Sequence, residues 1–184
     1  MAKLALASNH EIHHEAVWRV VELEVLPWIR DATVVGALRQ QNASHQGFTQ
    51  DDVEALDAKW RQELLADERP LIDAVLATEL SQFLKRIRAE SDGLLTEIFV
   101  VDRFGLNVGQ SDVTSDYWQG DEAKWQKTFL QGVGAVFIDK VEEDESTQQF
   151  QAQVSLAIAD PDTTEVIGSV TIGVDVDMAM DLES

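Results

Sequence analysis

The chain has 184 residues, 45% of them hydrophobic and 26% charged, with 34 acidic side chains against 14 basic ones and no cysteine. That length and apolar content suit one domain with a real core, and they exclude wholesale disorder, disulfides, thiolate nucleophiles and cysteine metal sites. A net charge of −20 argues against nucleic acid and against an anionic membrane surface, since both need a basic footprint.

The charge is unevenly placed. Residues 89–184 hold 20 acidic residues and only four bases, Arg103, Lys124, Lys127 and Lys140. Such a field favours cationic or zwitterionic partners over polyanions, although one buried base in it still captures a small carboxylate. Solubility and a salty habitat account for the same excess. No run approaches the roughly 18 apolar residues of a membrane helix, so no membrane insertion is expected.

At the N-terminus, Ala5-Leu6-Ala7 has the small residues of a signal-peptidase site, but no apolar h-region precedes it. The expectation is therefore a chain that is not exported as it stands, or one trimmed of its signal. His10-Glu11-Ile12-His13-His14 matches H-E-x-x-H, in which two histidines four apart on a helix hold zinc and the glutamate activates water. No strand precedes it to form a substrate edge, no G-x-x-H extension follows, and the only later histidine is His45. A solvated helix start is the better reading, and no metal, cofactor or catalytic residue is expected.

The spacing of Ile12, Ala16, Val20 and Leu23 predicts a helix from residue 12 to about 41, interrupted near Leu26 by Pro27. Thr49 caps a second helix, with Asp51 and Asp52 in its first turn and Val53, Leu56, Trp60 and Leu64 on its apolar face. A third runs from Pro70 through Ile87 and ends by Gly93. The pattern then turns to strands: Leu94–Val101, a hairpin turn at Asp102–Gly105, Leu106–Gln110, then Val136–Val141, Phe150–Ile158 and Val166–Val176. A short helix at Asp121–Leu130 separates the second strand from the third. Helices first and mostly antiparallel strands after them predict an α+β fold in one domain. Its helical part is residues 1–93 and its sheet 94–178.

Ile98-Phe-Val-Val-Asp102-Arg-Phe-Gly105, Ser111-Asp112, Asp116-Tyr117-Trp118-Gln119 and Trp125, followed by Val166-Ile-Gly168 returning toward Asp175, resemble the PAS-like extracytoplasmic Cache (PDC) sensor domains. The resemblance implies a five-stranded antiparallel sheet, a long N-terminal helix with further helices on one face, and a ligand pocket on the other face under the segment between the second and third strands. It also implies a non-enzymatic role in sensing a small molecule, an amino acid, amine or small organic acid, and a periplasmic or extracellular setting. A homodimer through the N-terminal helix and a signalling partner protein belong to the same expectation. The Arg-x-Trp-Tyr signature of the amino-acid-binding branch is absent, because Asp121–Trp125 reads Asp-Glu-Ala-Lys-Trp. The chain ends at Ser184, so a free-standing protein would act on another protein or simply hold its ligand.

Alternation in the last two strands points to a pocket independently. Val154, Leu156, Ile158, Val170, Ile172 and Val174 share one face; Gln153, Ser155, Ala157, Ser169, Thr171, Gly173 and Asp175 share the other. Aromatic residues folded over small polar groups enclose and orient a ligand. The candidate ligand-binding residues are Ser111, Asp112, Asp116, Tyr117, Trp118, Trp125, Ser155, Thr171 and Asp175. Each has a plainer alternative: core packing for the aromatics, Asx-type loop caps for Asp112 and Asp116, a solvated strand end for Asp175. The acidic turns at Glu142–Ser146 and Asp160–Thr164 lack an EF-hand ligand pattern and read as solvated turns. The competing function is a structural or protein-interaction domain whose pocket is filled or lost.

Overall fold

The computed structural model describes residues 13–143 and 150–182. His10, Glu11, the Ala5–Ala7 segment and most of the Glu142–Ser146 turn lie outside them. Helix α1 (13–20) passes without a break into a π-helical turn, Val21–Val25. Ala16, Val17, Val20, Val21 and Val25 are buried on one side of it. The expected interruption falls at 26–30, where Pro27 ends the helical ladder. Helix α2 (Ala32–Ser44) restarts from Asp31, whose carboxylate accepts the Thr33 N–H at 2.7 Å.

Helix α3 (Gln50–Glu63) begins at Thr49 as its sequence requires. Thr49 Oγ1 accepts the Asp52 N–H, and the Asp52 carboxylate accepts the Thr49 N–H, closing a capping box. The N–H and the hydroxyl of Thr49, both donated to the Asp52 carboxylate, hold that carboxyl below its ordinary range. At the far end of α3, the buried Glu63 accepts the N–H groups of Leu71 (2.7 Å) and Ile72 (3.0 Å), tying α3 to the start of α4 (Pro70–Leu76).

The single helix expected from Pro70 to Ile87 is two. Thr78 is extended and its hydroxyl takes the Ser81 N–H at 3.1 Å, so α4 stops and α5 (Glu79–Glu90) starts afresh. The short helix expected at Asp121–Leu130 is also smaller than predicted: α6 (Ala123–Gln126) is one turn, followed by a 3₁₀ turn at Phe129–Gln131.

All five expected strands form: β1 (Leu95–Val101), β2 (Asn107–Gln110), β3 (Val136–Ile138), β5 (Phe150–Ala159) and β6 (Val166–Asp175), and a two-residue β4 (Glu142–Glu143) joins them where a turn was expected. The order is β2-β1-β6-β5-β3, and every pairing is antiparallel. Because β6 occupies one edge of β5, β3 and β4 share the other as one interrupted strand. The result is a single antiparallel sheet with five strand positions, of PAS type, in an α+β fold. Helix α7 (Val176–Asp181) follows β6 with no intervening loop.

The sheet buries its apolar face, including Ile98, Val100, Val154, Leu156, Ile158, Val170, Ile172 and Val174, against α1, α2 and α5. Gly109 lets α5 approach, since a Cβ there would lie 2.7 Å from Leu80 Cγ. A second cluster joins α3 and α4 to the β1–β2 hairpin through Val53, Trp60, Ile72, Val75, Leu106 and Tyr117. Among the described residues no helix is long and apolar enough to cross a membrane.

Candidate functional site

The face of the sheet turned away from the helices carries a continuous cross-strand row. Gln110 faces Phe99, Phe99 faces Thr171, Thr171 faces Ser155, and Ser155 faces Phe137. Side chains opposite one another in a sheet share a face, so two phenyl rings flank a pair of hydroxyls. Ser155 Oγ and Thr171 Oγ1 are hydrogen-bonded at 2.9 Å, and the two residues are 0% and 2% exposed. Two residues along β1, Asn107 and Ser169 lie on either side of Val101 on the same face, Asn107 brought into phase by the irregularity between Val100 and Val101. Gln153 donates to Glu97 at 2.7 Å across Gly173 on the other side of the row.

This polar face is roofed by the segment that connects β2 to β3. Trp125 stacks on Phe129 with centroids 5.1 Å apart, and its indole N–H donates to the Asp102 carbonyl at 3.3 Å. Lys124 places its ammonium 5.2 Å from the centre of the Phe99 ring, and Lys127 places its own 4.1 Å from that of Phe137. Two of the four basic residues in the acidic half of the chain thus stand over the two phenyl rings of the row.

Buried polar atoms normally find partners. Among the described residues four buried side-chain polar atoms have none, and three belong to this face: Asn107 Oδ1, Gln110 Nε2 and Ser169 Oγ. Asn107 and Gln110 use their other amide atoms on Thr114, in the loop after β2. The covered face therefore holds both donor and acceptor capacity that the protein itself leaves unused.

The predicted residues divide. Ser155, Thr171 and Trp125 come together at the covered face. Ser111 is buried beside β1, where its hydroxyl accepts the Ile98 N–H and donates to Asp112. Asp112 and Asp116 are drawn into ion pairs with Arg88 (2.8 Å) and Arg61 (2.9 Å). Tyr117 turns toward α3 and stacks on Trp60 at 5.1 Å; burial, aided by the charge of Asp102, pushes its phenol well above the ordinary range. Trp118 lies beside it, with its backbone and that of Tyr117 held by Asp57 and its indole N–H given to the Phe104 carbonyl. Asp175 is neither solvated nor directed at the face: it is 1% exposed and caps α7 by accepting the Met178 N–H at 2.9 Å.

No family model matches the sequence, and no curated protein matches it. Solved structures do. The chain is similar to chemoreceptor and histidine-kinase sensor domains. The ligand-binding domain of the Campylobacter jejuni chemoreceptor Tlp3 in complex with 4-methylisoleucine aligns over 93% of this chain and 63% of its own length, at 13% identity and a TM-score of 0.42. The sensor domain of the V. cholerae histidine kinase DctB aligns over 80% and 58%, at 15% identity and a TM-score of 0.38. The E. coli DcuS sensor domain aligns over 84% and 100%, at 17% identity and a TM-score of 0.42. The chain thus spans about three fifths of the Tlp3 and DctB domains.

Phe99, Asn107, Gln110, Lys124, Phe137 and Ser169 join the site from outside the predicted set. For Phe99, Phe137 and Ser169 the signal was present, because strand alternation sets them in phase with Thr171 and Ser155. For Lys124 there was none, since a lysine on a short helix is ordinarily a solvent-facing one.

Proposed function

We propose that this protein binds a small molecule at the covered polar face of its sheet and acts as a non-enzymatic sensor. The observation that carries the reading is the set of unused buried polar atoms, Asn107 Oδ1, Gln110 Nε2 and Ser169 Oγ, on a face walled by aromatic rings. A ligand with donors and acceptors satisfies them. The phenyl rings supply apolar walls, and the Ser155–Thr171 pair supplies a floor able to donate or accept. Among the described residues no cluster of three His, Asp or Glu side chains suits a metal.

Binding would tighten the cover formed by α6 and the Phe129–Gln131 turn over the sheet and favour one arrangement of β6, which continues straight into α7. Transmission to a partner protein runs through that strand–helix junction. An extracytoplasmic setting accords with the sequence resemblance.

A thermal-shift screen against amino acids, amines and small organic acids tests the proposal. A compound at ~100 times its dissociation constant stabilises by about 2.7 kcal/mol, a rise of several degrees for a chain of this size. We expect such a hit, and we expect Thr171→Val and Ser155→Ala to weaken it. Flat curves across the whole screen would overturn the reading and leave an interaction domain in its place.

A further inference from the structure

The amino group of Lys124 does not behave as an exposed lysine does. Its side chain is only 15% exposed, its nitrogen lies over the buried Phe99 ring, and its ionic partner is Glu122 at 2.9 Å. Glu122 is the more exposed of the two, at 39%. It sits in extended backbone at the N-cap of α6, and it makes no capping hydrogen bond. The lysine is therefore held at the roof of the site by a carboxylate from its own cover, one that water already reaches.

We infer that the site takes a carboxylate, which binds Lys124 in exchange for Glu122. The inference rests on the reading of the covered face as a ligand site and specifies what enters it. A partly desolvated ammonium is costly to leave without a counter-charge, so a ligand that displaces Glu122 must bring an anionic group of its own. A carboxylate does so while Glu122 swings out into water, where its charge is solvated. The number of paired charges at the lysine stays the same through the exchange. An amine brings the wrong sign to this position and leaves the Glu122 pair intact. Lys127, over Phe137, adds a second positive charge on the same side. Polyanions are opposed by the surrounding excess of acidic residues, so the anion is a small one.

Two substitutions give opposite signs. Glu122→Gln removes the internal competitor and should tighten carboxylate binding several-fold. Lys124→Met removes the recognising charge and should weaken it at least tenfold, while Lys124→Arg should recover part of the loss. The first probes are L-valine, 3-methylbutanoate and isobutylamine, which share a hydrocarbon skeleton and differ in which charged group they carry, with succinate as a second acid. Calorimetry and thermal shift on the full chain read the result, and circular dichroism of each unliganded variant checks its fold. Binding of 3-methylbutanoate or succinate without isobutylamine identifies an organic acid; binding of L-valine alone, lost in Lys124→Met, identifies an amino acid held by its carboxylate. Binding of isobutylamine, or any hit of the wider screen that survives Lys124→Met undiminished, overturns the carboxylate inference and leaves the site reading standing. An absence of any ligand from both screens, with the wild type and with Glu122→Gln, overturns both.

Discussion

His45 Nδ1 lies 2.8 Å from Oδ2 of Asp102, a carboxylate with no exposure to solvent. The same carboxylate accepts the N–H groups of Phe104 (2.8 Å) and Leu106 (3.0 Å) and the amide of Gln41 (3.1 Å). One side chain thereby fastens the β1–β2 turn to the end of α2, while the Asp102 carbonyl receives Trp125 from the roof of the site. Asp102→Ala strands several buried donors and should cost about 3 kcal/mol. His45→Ala removes one contact and should cost about 1 kcal/mol. Denaturant unfolding checks both, through a lower midpoint at unchanged slope.

Arg39 grips the β5–β6 turn with a fork to both oxygens of Asp160 and a further contact to Asp162. The guanidinium, with the backbone N–H groups of Asp162 and Thr163, holds the Asp160 carboxyl well below the usual carboxylate range. A depressed folded value means that this contribution is complete above the unfolded carboxylate value, ~3.9. It is lost as pH falls from there through the folded value. Asp160→Asn should lower the melting temperature at neutral pH. It should also flatten its decline in acid, which thermal melts from pH 7 to pH 2 would show.

The Ser155–Thr171 hydroxyl pair makes a thermodynamic cycle available. Either Ser155→Ala or Thr171→Val leaves one buried hydroxyl without its partner and should cost about 1–2 kcal/mol. The double variant should cost less than the sum of the two, because no hydroxyl is then stranded. Ligand affinity should behave differently and fall in all three. Unfolding and titration on the same four proteins separate the two effects.

Gly109→Ala drives a methyl group into Leu80 at the contact between α5 and β2. We expect a loss of about 2 kcal/mol, the usual scale for overpacking, visible as a lowered unfolding midpoint. Leu80→Ala in the same chain should recover part of it by making room, whereas a backbone requirement at residue 109 would leave the loss unrelieved.

Where the chain's own neighbours decide a structure, the sequence revealed it. Thr49 and Asp52 satisfy each other three residues apart, and alternation from Val154 to Ile158 assigns each side chain to a face without help. The division of α4 from α5 was hidden because the apolar spacing continues through Thr78; only the competition of its hydroxyl for the Ser81 N–H breaks the helix. The Ser111–Gly120 loop has no period, so nothing local tells Tyr117 which core to enter. Asp57 settles that from 60 residues away by taking the N–H groups of Tyr117 and Trp118. Lys124 was equally illegible, its direction being set by Phe99 on a strand it does not adjoin in sequence.

The final residue of β6 serves two masters. Asp175 is paired with Gln151 in the sheet while its side chain starts α7, and its N–H bonds the Leu94 carbonyl at the head of β1. Thr171 lies four residues back along the same strand. No loop separates Thr171 in β6 from α7, so a displacement of the strand on ligand binding would be carried into the heading of the helix.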